Sequence, residues 1–186
     1  AAPPPASVIA AMIDAGFALT HLYGLTETYG PSTINEWNAE WDNLSKEDQS
    51  AKRIRQGVRY VSLEALTVMD PETMQRVPAD GETMGELEIR GPWVASGYYN
   101  TEDQADRWTE DGWFMTGDIV TLHPSGFIRI QDRTKDVIKS GGEWISSIEL
   151  ENIAIGCPGV QEAAAIGLAH PKWDERPLLV VMKKPG

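Results

Sequence analysis

The sequence predicts a mixed α/β chain built in three stretches, and three observations predict it. A short apolar helix pattern, a strand and a Gly/Thr-rich loop fill the first thirty or so residues. Short, evenly spaced strands with turn signals fill residues 63–132. An amphipathic helix between strand-like runs follows residue 135. In the first stretch Ser7 can cap a helix over Val8–Ala15 that Gly16 stops, Phe17–Leu22 reads as a strand, and Tyr23–Pro31 reads as a loop. Ser45, with Asp48 three positions on, resembles a capping box and opens a polar helix reaching about Arg55. The middle stretch carries strands at Leu66–Met69, Glu86–Arg90, Asp118–Leu122 and Gly126–Gln131. Asp70-Pro71, Asp80-Gly81, Gly91-Pro92 and Pro124-Ser125-Gly126 mark its turns. Such spacing suggests a small barrel or sandwich. In the last stretch Ser146–Ile155 is an amphipathic helix with Ile148, Leu150, Ile153 and Ala154 on or near one face. Val160–Leu168 and Leu178–Lys183 read as two strands of a new sheet, and the boundary falls at Asp132–Lys135.

Bulk properties exclude several classes. With 41% hydrophobic and 24% charged residues the chain has a soluble globular balance. Its longest apolar runs, such as Pro177–Met182, are too short to span a bilayer. A net charge of −12 argues against nucleic acid or anionic membrane as the main partner. Cys157 is the only cysteine, so there is neither an intrachain disulfide framework nor a cysteine metal cluster, and a reduced, cytoplasmic setting fits. His21, His123 and His170 are too dispersed for a zinc site. The opening without Met, and the end at Gly186 directly after a strand-like run, are expected of a piece of a longer chain. Ala6–Ala15 lacks the basic flank and cleavage pattern of a signal peptide.

Three constellations carry chemistry. In Tyr23–Pro31 (YGLTETYGP) a Gly/Thr-rich loop after a strand offers N–H groups and hydroxyls to phosphate. Glu27 among those donors would repel phosphate unless it holds Mg²⁺, and Tyr23 at the entrance could stack on a base. Gly-Thr loops are common, and on the bare pattern an ordinary turn is the simpler reading. In Trp113–Asp118 (WFMTGD) Asp118 can accept from both hydroxyls of a ribose diol, or merely cap a turn. In Phe127–Glu151 the cations Arg129, Arg133, Lys135 and Lys139 stand out from an acidic chain, and Gly141-Gly142 permits close approach of a ligand. A solvated hairpin with charge pairs explains that pattern equally well.

Taken together, YGLTET, GELEIRGPWVASGYYN, GWFMTGD and GFIRIQDRTKDVIKSGGEWISSIELE resemble the adenylate-forming superfamily of acyl-CoA synthetases, luciferases and peptide-synthetase adenylation domains. The likeness runs from about Phe17 to Lys184. It implies three parts: the end of the αβ subdomain of a large N-terminal domain (residues 1–45), a small antiparallel β-barrel (46–134), and an incomplete α+β C-terminal domain (135–186). It implies ATP, Mg²⁺ and coenzyme A as cofactors, and a carboxylic acid activated to an acyl-adenylate and passed to a thiol. By the same resemblance Tyr23 stacks on adenine, Gly24 belongs with it to the nucleotide-binding set, Thr26 contacts phosphate, and Glu27 holds Mg²⁺ and is, with Lys139, one of the two catalytic residues. Asp118 binds the ribose hydroxyls, Ile130 packs near the nucleoside and Arg133 contacts ribose or phosphate. Lys135 is a hinge. Lys139 and Gly141-Gly142 face the active site during thioester formation, with the glycines beside the pantetheine tunnel.

KDVIKSGGEWISSIELE looks like a CoA ligase, and LTETYGPSTINEWNAEWDNL resembles the medium-chain branch with its methylthiopropionate-CoA ligases. The family's phosphate loop and its adenylation lysine have no counterpart in these residues, so the chain alone is expected not to make acyl-adenylate at a normal rate. A homodimer of the longer parent is compatible with the resemblance. The rivals are an acyl-AMP ligase that loads a carrier protein, a noncatalytic nucleotide-binding module and, more distantly, a luciferase-type oxygenase.

Overall fold

The computed structural model describes residue 4, residues 6–101 and residues 105–185. Helix α1 spans Ala6–Asp14. It begins one residue ahead of the expected cap Ser7, whose side chain lies outside the described residues. Strand β1 (His21–Leu25) is antiparallel to β2 (Gly30–Asn35), which pairs in turn with the two-residue β3 (Val58–Arg59). The strand expected at Phe17–Leu22 therefore starts four residues later. Of the expected loop, Tyr23–Leu25 belong to β1, Thr26–Thr28 form a single 3-10 turn, and Gly30 and Pro31 open β2. Gly-Thr composition hid a hairpin. Close approach requires Gly24, because a Cβ there would sit 2.3 Å from the Gly30 carbonyl oxygen. Helix α2 (Lys46–Arg53) follows the sequence reading: Ser45 is its N-cap and accepts from the Asp48 N–H.

The second sheet is an antiparallel meander of β4 (Ala65–Met69), β5 (Met84–Arg90), β6 (Phe114–Leu122) and β7 (Ile128–Arg133). Leu87 and Ile89 alternate with Glu86 and Glu88 along β5. The apolar members join Val68, Phe114, Val120, Ile128, Leu63 and Tyr23 in one core. The expected small barrel does not form, because the order β4-β5-β6-β7 leaves the sheet open. Four strands are too few to close around packed side chains. The outer edge of β7 is taken instead by the segment leading into β3: the Ile128 N–H donates to the Gly57 carbonyl at 2.9 Å.

The third sheet joins β8 (Ile138–Ser140) and β9 (Glu143–Ile145) to the long hairpin β10 (Val160–His170) and β11 (Asp174–Lys183), in the order β10-β11-β8-β9. The patterning did not mark β8 and β9, because three-residue strands are too short to show a period. Gly141 and Gly142, with φ of +64° and +87°, supply the two left-handed positions of their tight turn. Helix α3 (Ser147–Ile155) lies where the sequence put it, with Ser146 as its N-cap. Its first turn is tied to β7. The Asp132 carboxylate, 1% exposed, accepts from the Ser147 N–H at 2.6 Å, and the Ser146 hydroxyl donates to the Gln131 carbonyl. Among the described residues no helix is long and apolar enough to cross a membrane.

Candidate functional site

Asp118 is the organising group. It lies on β6 and is 3% exposed. One carboxylate oxygen accepts from the Tyr23 hydroxyl at 2.6 Å and the other from Arg133 Nη1, also at 2.6 Å. Register explains the second contact. From Leu122↔Ile128 to Val120↔Ile130 the β6–β7 pairing is regular, and if continued it would set Asp118 opposite Asp132. A bulge between Ile119 and Val120 shifts the register by one residue, so that Asp118 faces Arg133. Two opposed carboxylates thus become an ion pair. A second irregularity, in β5–β6, leaves Thr116, Gly117 and Asp118 without partners on β5. There the Glu86 carboxylate accepts the Gly117 N–H at 3.0 Å and the Thr116 hydroxyl donates to the Leu87 carbonyl.

These contacts shift the titrating groups in directions with plain causes. Burial, then the Asp118 charge and hydrogen bond, push the Tyr23 phenol well above its ordinary value. The hydrogen bond to Asp118 raises Arg133. Burial raises Glu86 against the pull of the Gly117 N–H and Arg107.

Asp118, Ile130, Arg133 and Lys135 line a cleft of about 570 Å³ between β7, the first turn of α3 and β10. Of the residues singled out in the sequence, these four are gathered there. Asp132, Asp136, Glu151 and Glu175 also line it, against only Arg133 and Lys135 as cations. That balance suits neutral hydroxyls better than a bare polyphosphate. The Ile130 N–H is spent on the Gln56 side chain, and Lys135 is exposed on the turn after β7.

Tyr23 joins the cleft indirectly. Its ring is 7% exposed within the core, so in this arrangement it offers little face for a base and contributes its hydroxyl through Asp118. Glu27 lies in the 3-10 turn after β1. One of its carboxylate oxygens accepts from the Tyr98 hydroxyl, and the other carries no hydrogen bond among the described residues. Thr26 is exposed beside it, while the neighbouring Thr28 is buried and staples the turn to Leu25 and Gly30. Lys139 and the Gly141-Gly142 turn stand outside the cleft. The Lys139 ammonium lies 3.6 Å from Glu72 and over the Trp144 ring, and a Cβ at Gly141 would meet the Trp173 ring at 2.8 Å.

As to metal, no group of three or more His, Cys, Asp or Glu able to hold an ion occurs among the described residues. Glu27, a single carboxylate with one free oxygen, fits Mg²⁺. That ion keeps waters and takes one or two carboxylates plus substrate phosphates rather than an all-protein cage. The sequence reading missed Tyr98, Thr28, Thr116, Glu86 and Asp132. Tyr98, Glu86, Thr116 and Asp132 bond to partners 71, 31, 29 and 15 positions away and leave no local spacing signal, whereas Thr28 bonds within its own turn and is hidden only by the commonness of Gly/Thr turns.

The profile of the family described as AMP-binding enzyme matches residues 1–99. An acetate–CoA ligase of Humulus lupulus is 49% identical over 185 residues, which cover 100% of this chain and 32% of that protein. A 3-methylmercaptopropionyl-CoA ligase of Ruegeria lacuscaerulensis is 45% identical over 186 residues, covering 100% of this chain and 34% of its own length. The solved structure of o-succinylbenzoate coenzyme A synthetase from Bacillus subtilis with ATP and magnesium ion superposes with a TM-score of 0.79 at 28% identity. That match covers 100% of this chain and 36% of that one. The chain thus spans about a third of the length of the curated relatives it matches.

Proposed function

The chain belongs to the AMP-binding enzyme family, and from that premise we propose that it is the nucleotide-holding and hinge portion of an acyl-CoA synthetase. The longer protein activates a carboxylic acid with ATP to an acyl-adenylate, releasing pyrophosphate. It then passes the acyl group to coenzyme A and releases AMP. The carrying observation is Asp118, a buried carboxylate clamped by Tyr23 and Arg133 at the wall of a cleft rich in hydroxyl acceptors. The relatives' names range from acetate and 3-methylmercaptopropionate to trans-cinnamate and benzoate.

The chemistry follows from this placement. A carboxylate has about four lone-pair sites, and Asp118 has spent one on each oxygen, so it keeps acceptors for the two hydroxyls of a ribose. The Arg133 guanidinium retains donors beyond the one given to Asp118, which suits ribose or α-phosphate oxygen. Holding the nucleotide by its sugar aligns the α-phosphate with the acid without charge repulsion at the clamp. Glu27, with Thr26 beside it, would hold Mg²⁺ through its free oxygen, and when bound the ion offsets the negative charge that builds on the phosphates. Lys135 sits where the chain passes from β7 toward α3, and serves as the hinge on which residues 135–186 turn relative to 1–45 and 46–134. Lys139 and Gly141-Gly142 lie beyond that hinge and act in the thioester-forming step. Residues 1–186 lack the family's upstream Gly/Ser/Thr-rich phosphate loop, and alone they are expected not to make acyl-adenylate at a normal rate. The lone cysteine, Cys157, fits a reduced, cytoplasmic setting.

The test is AMP release by the full-length protein with ATP, Mg²⁺ and a panel of short, thioether, medium-chain and aromatic acids, with and without coenzyme A. Steady AMP release only with coenzyme A supports the synthetase, and the best acid names the substrate. Release independent of coenzyme A moves the assignment to a ligase that loads a carrier protein. No release with any acid leaves a nucleotide-binding module.

A further inference from the structure

Glu27 is held by more than its own turn. Its main-chain carbonyl accepts the Ala95 N–H at 2.7 Å. The Ala95 carbonyl accepts the Trp108 indole N–H at 2.7 Å. The Trp108 ring meets the Tyr98 ring edge-on at 5.4 Å, and the Tyr98 hydroxyl returns to the Glu27 carboxylate. These four residues form a closed circuit of three hydrogen bonds and one aromatic contact. It begins and ends on Glu27, seventy-one positions from Tyr98 in sequence. Trp108 is anchored in turn on the core ring of Phe114 at 4.9 Å. The circuit fixes both the peptide of Glu27 and one oxygen of its carboxylate, and leaves the other oxygen free.

We propose that Tyr98 is a positioning residue for the metal-holding carboxylate. It pins one Glu27 oxygen so that the other presents at a set angle to the Mg²⁺ of a metal–nucleotide complex, and Trp108 holds Tyr98 in place. The inference rests on the reading of Glu27 as that carboxylate. The physical ground is preorganisation. A glutamate on a half-exposed turn has several rotamers, and an anchored phenol O–H removes most of them before the ion arrives. A charged acceptor makes the bond one of the stronger kind. Tyr99, next in sequence and 98% exposed, has none of these contacts and serves as the control.

The experiment uses a full-length ligase carrying these residues and two readouts. Mn²⁺ binding in the presence of ATP is followed by electron paramagnetic resonance, and the Mg²⁺ activation curve is measured at saturating ATP. Tyr98→Phe keeps the ring against Trp108 and removes only the hydroxyl. It should raise the Mn²⁺ dissociation constant and the Mg²⁺ half-saturation about tenfold, with KM for ATP at saturating Mg²⁺ unchanged. Trp108→Phe should move both in the same direction by a smaller factor, and keeps the question open to test if Tyr98→Phe folds poorly. Tyr99→Phe should match the wild type. If Glu27→Gln weakens Mn²⁺ binding while Tyr98→Phe and Trp108→Phe do not, the positioning role is wrong and the metal role of Glu27 survives. If Glu27→Gln itself leaves Mn²⁺ binding unchanged, the metal reading fails and the positioning proposal goes with it. A loss confined to KM for ATP in Tyr98→Phe would make the contact merely structural and overturn the proposal.

Discussion

The two larger sheets treat the same kind of residue in opposite ways. In the meander β4–β7, Leu87, Ile89, Phe114, Ile119, Val120 and Ile128 are completely buried, and the polar Asp118 is buried with them. In the hairpin β10–β11, Ile166, Leu168 and the whole run Leu178–Met182 stay roughly half exposed. Side-chain chemistry is alike in the two; the number of packed neighbours is not. The meander packs on Tyr23 and Leu63 from other elements, whereas the hairpin meets mainly α3. An apolar strand is a core strand only when another layer covers it. A buried carboxylate such as Asp118 is tolerable only where donors were brought in with it.

The sharpest break between the regions is a pair of truncations. Ile89→Ala in the meander should cost about 2–5 kcal/mol in urea unfolding, and Val180→Ala in the hairpin well under about 1 kcal/mol. Equal losses would mean that the hairpin is covered as fully as the meander. Next in size is Asp118→Ala. It removes the acceptor of Tyr23 and Arg133 together, and should destabilise the chain by about 2–4 kcal/mol while abolishing nucleotide binding. Wild-type affinity for AMP by titration calorimetry would falsify the clamp. A smaller effect belongs to the turn of β8–β9. Gly141→Ala meets both a left-handed φ and the Trp173 ring, whereas Gly142→Ala has a similar φ but nothing within 4 Å. Thermal melts should rank Gly141→Ala lower, by a difference of about 1 kcal/mol.

The smallest effect is a pH dependence carried by Tyr23. Its phenol is raised in the fold, so the stability it contributes is fully present below its unfolded value of 10.0 and is lost as pH climbs through the higher folded value. Between about pH 9 and 11 the wild type should therefore lose stability more steeply than Tyr23→Phe. At neutral pH that variant should already be weaker by about 1 kcal/mol for the lost hydrogen bond. Parallel pH profiles would show that the hydroxyl does not sense Asp118.

Much of the fold was legible. The strands β4, β5, β6, β7, β10 and β11 and the helices α2 and α3 lie within a few residues of where periodicity, caps and turn residues put them. Ser45 caps its polar helix as the capping-box pattern expects, and Ser146, expected as the first residue of α3, is its N-cap instead. The hairpin β1–β2 is half legible: a strand is expected at Phe17–Leu22, but the Gly/Thr-rich Tyr23–Pro31 reads as a loop, and the Thr28 hydroxyl network that ties its turn is not a pattern in the sequence. The barrel was overdrawn because strand spacing says how many strands lie in series and not whether the last returns to the first.

The site divides along the same line. By itself the sequence determined which groups exist and in what order. It gave the Gly/Thr loop with its one glutamate, the Asp that follows Thr-Gly, the cations of an otherwise acidic chain, and the double glycine of a tight turn. Those are covalent facts, readable from local chemistry. Only the tertiary structure decided that Asp118 faces Arg133 rather than Asp132, since a one-residue bulge in β6–β7 changes every cross-strand partner beyond it. Only it placed the Tyr23 and Tyr98 hydroxyls on the carboxylates of Asp118 and Glu27, across 95 and 71 positions of chain. Register and long-range hydrogen bonds arise from the free energy of the whole packed sheet, and no short window of sequence holds them.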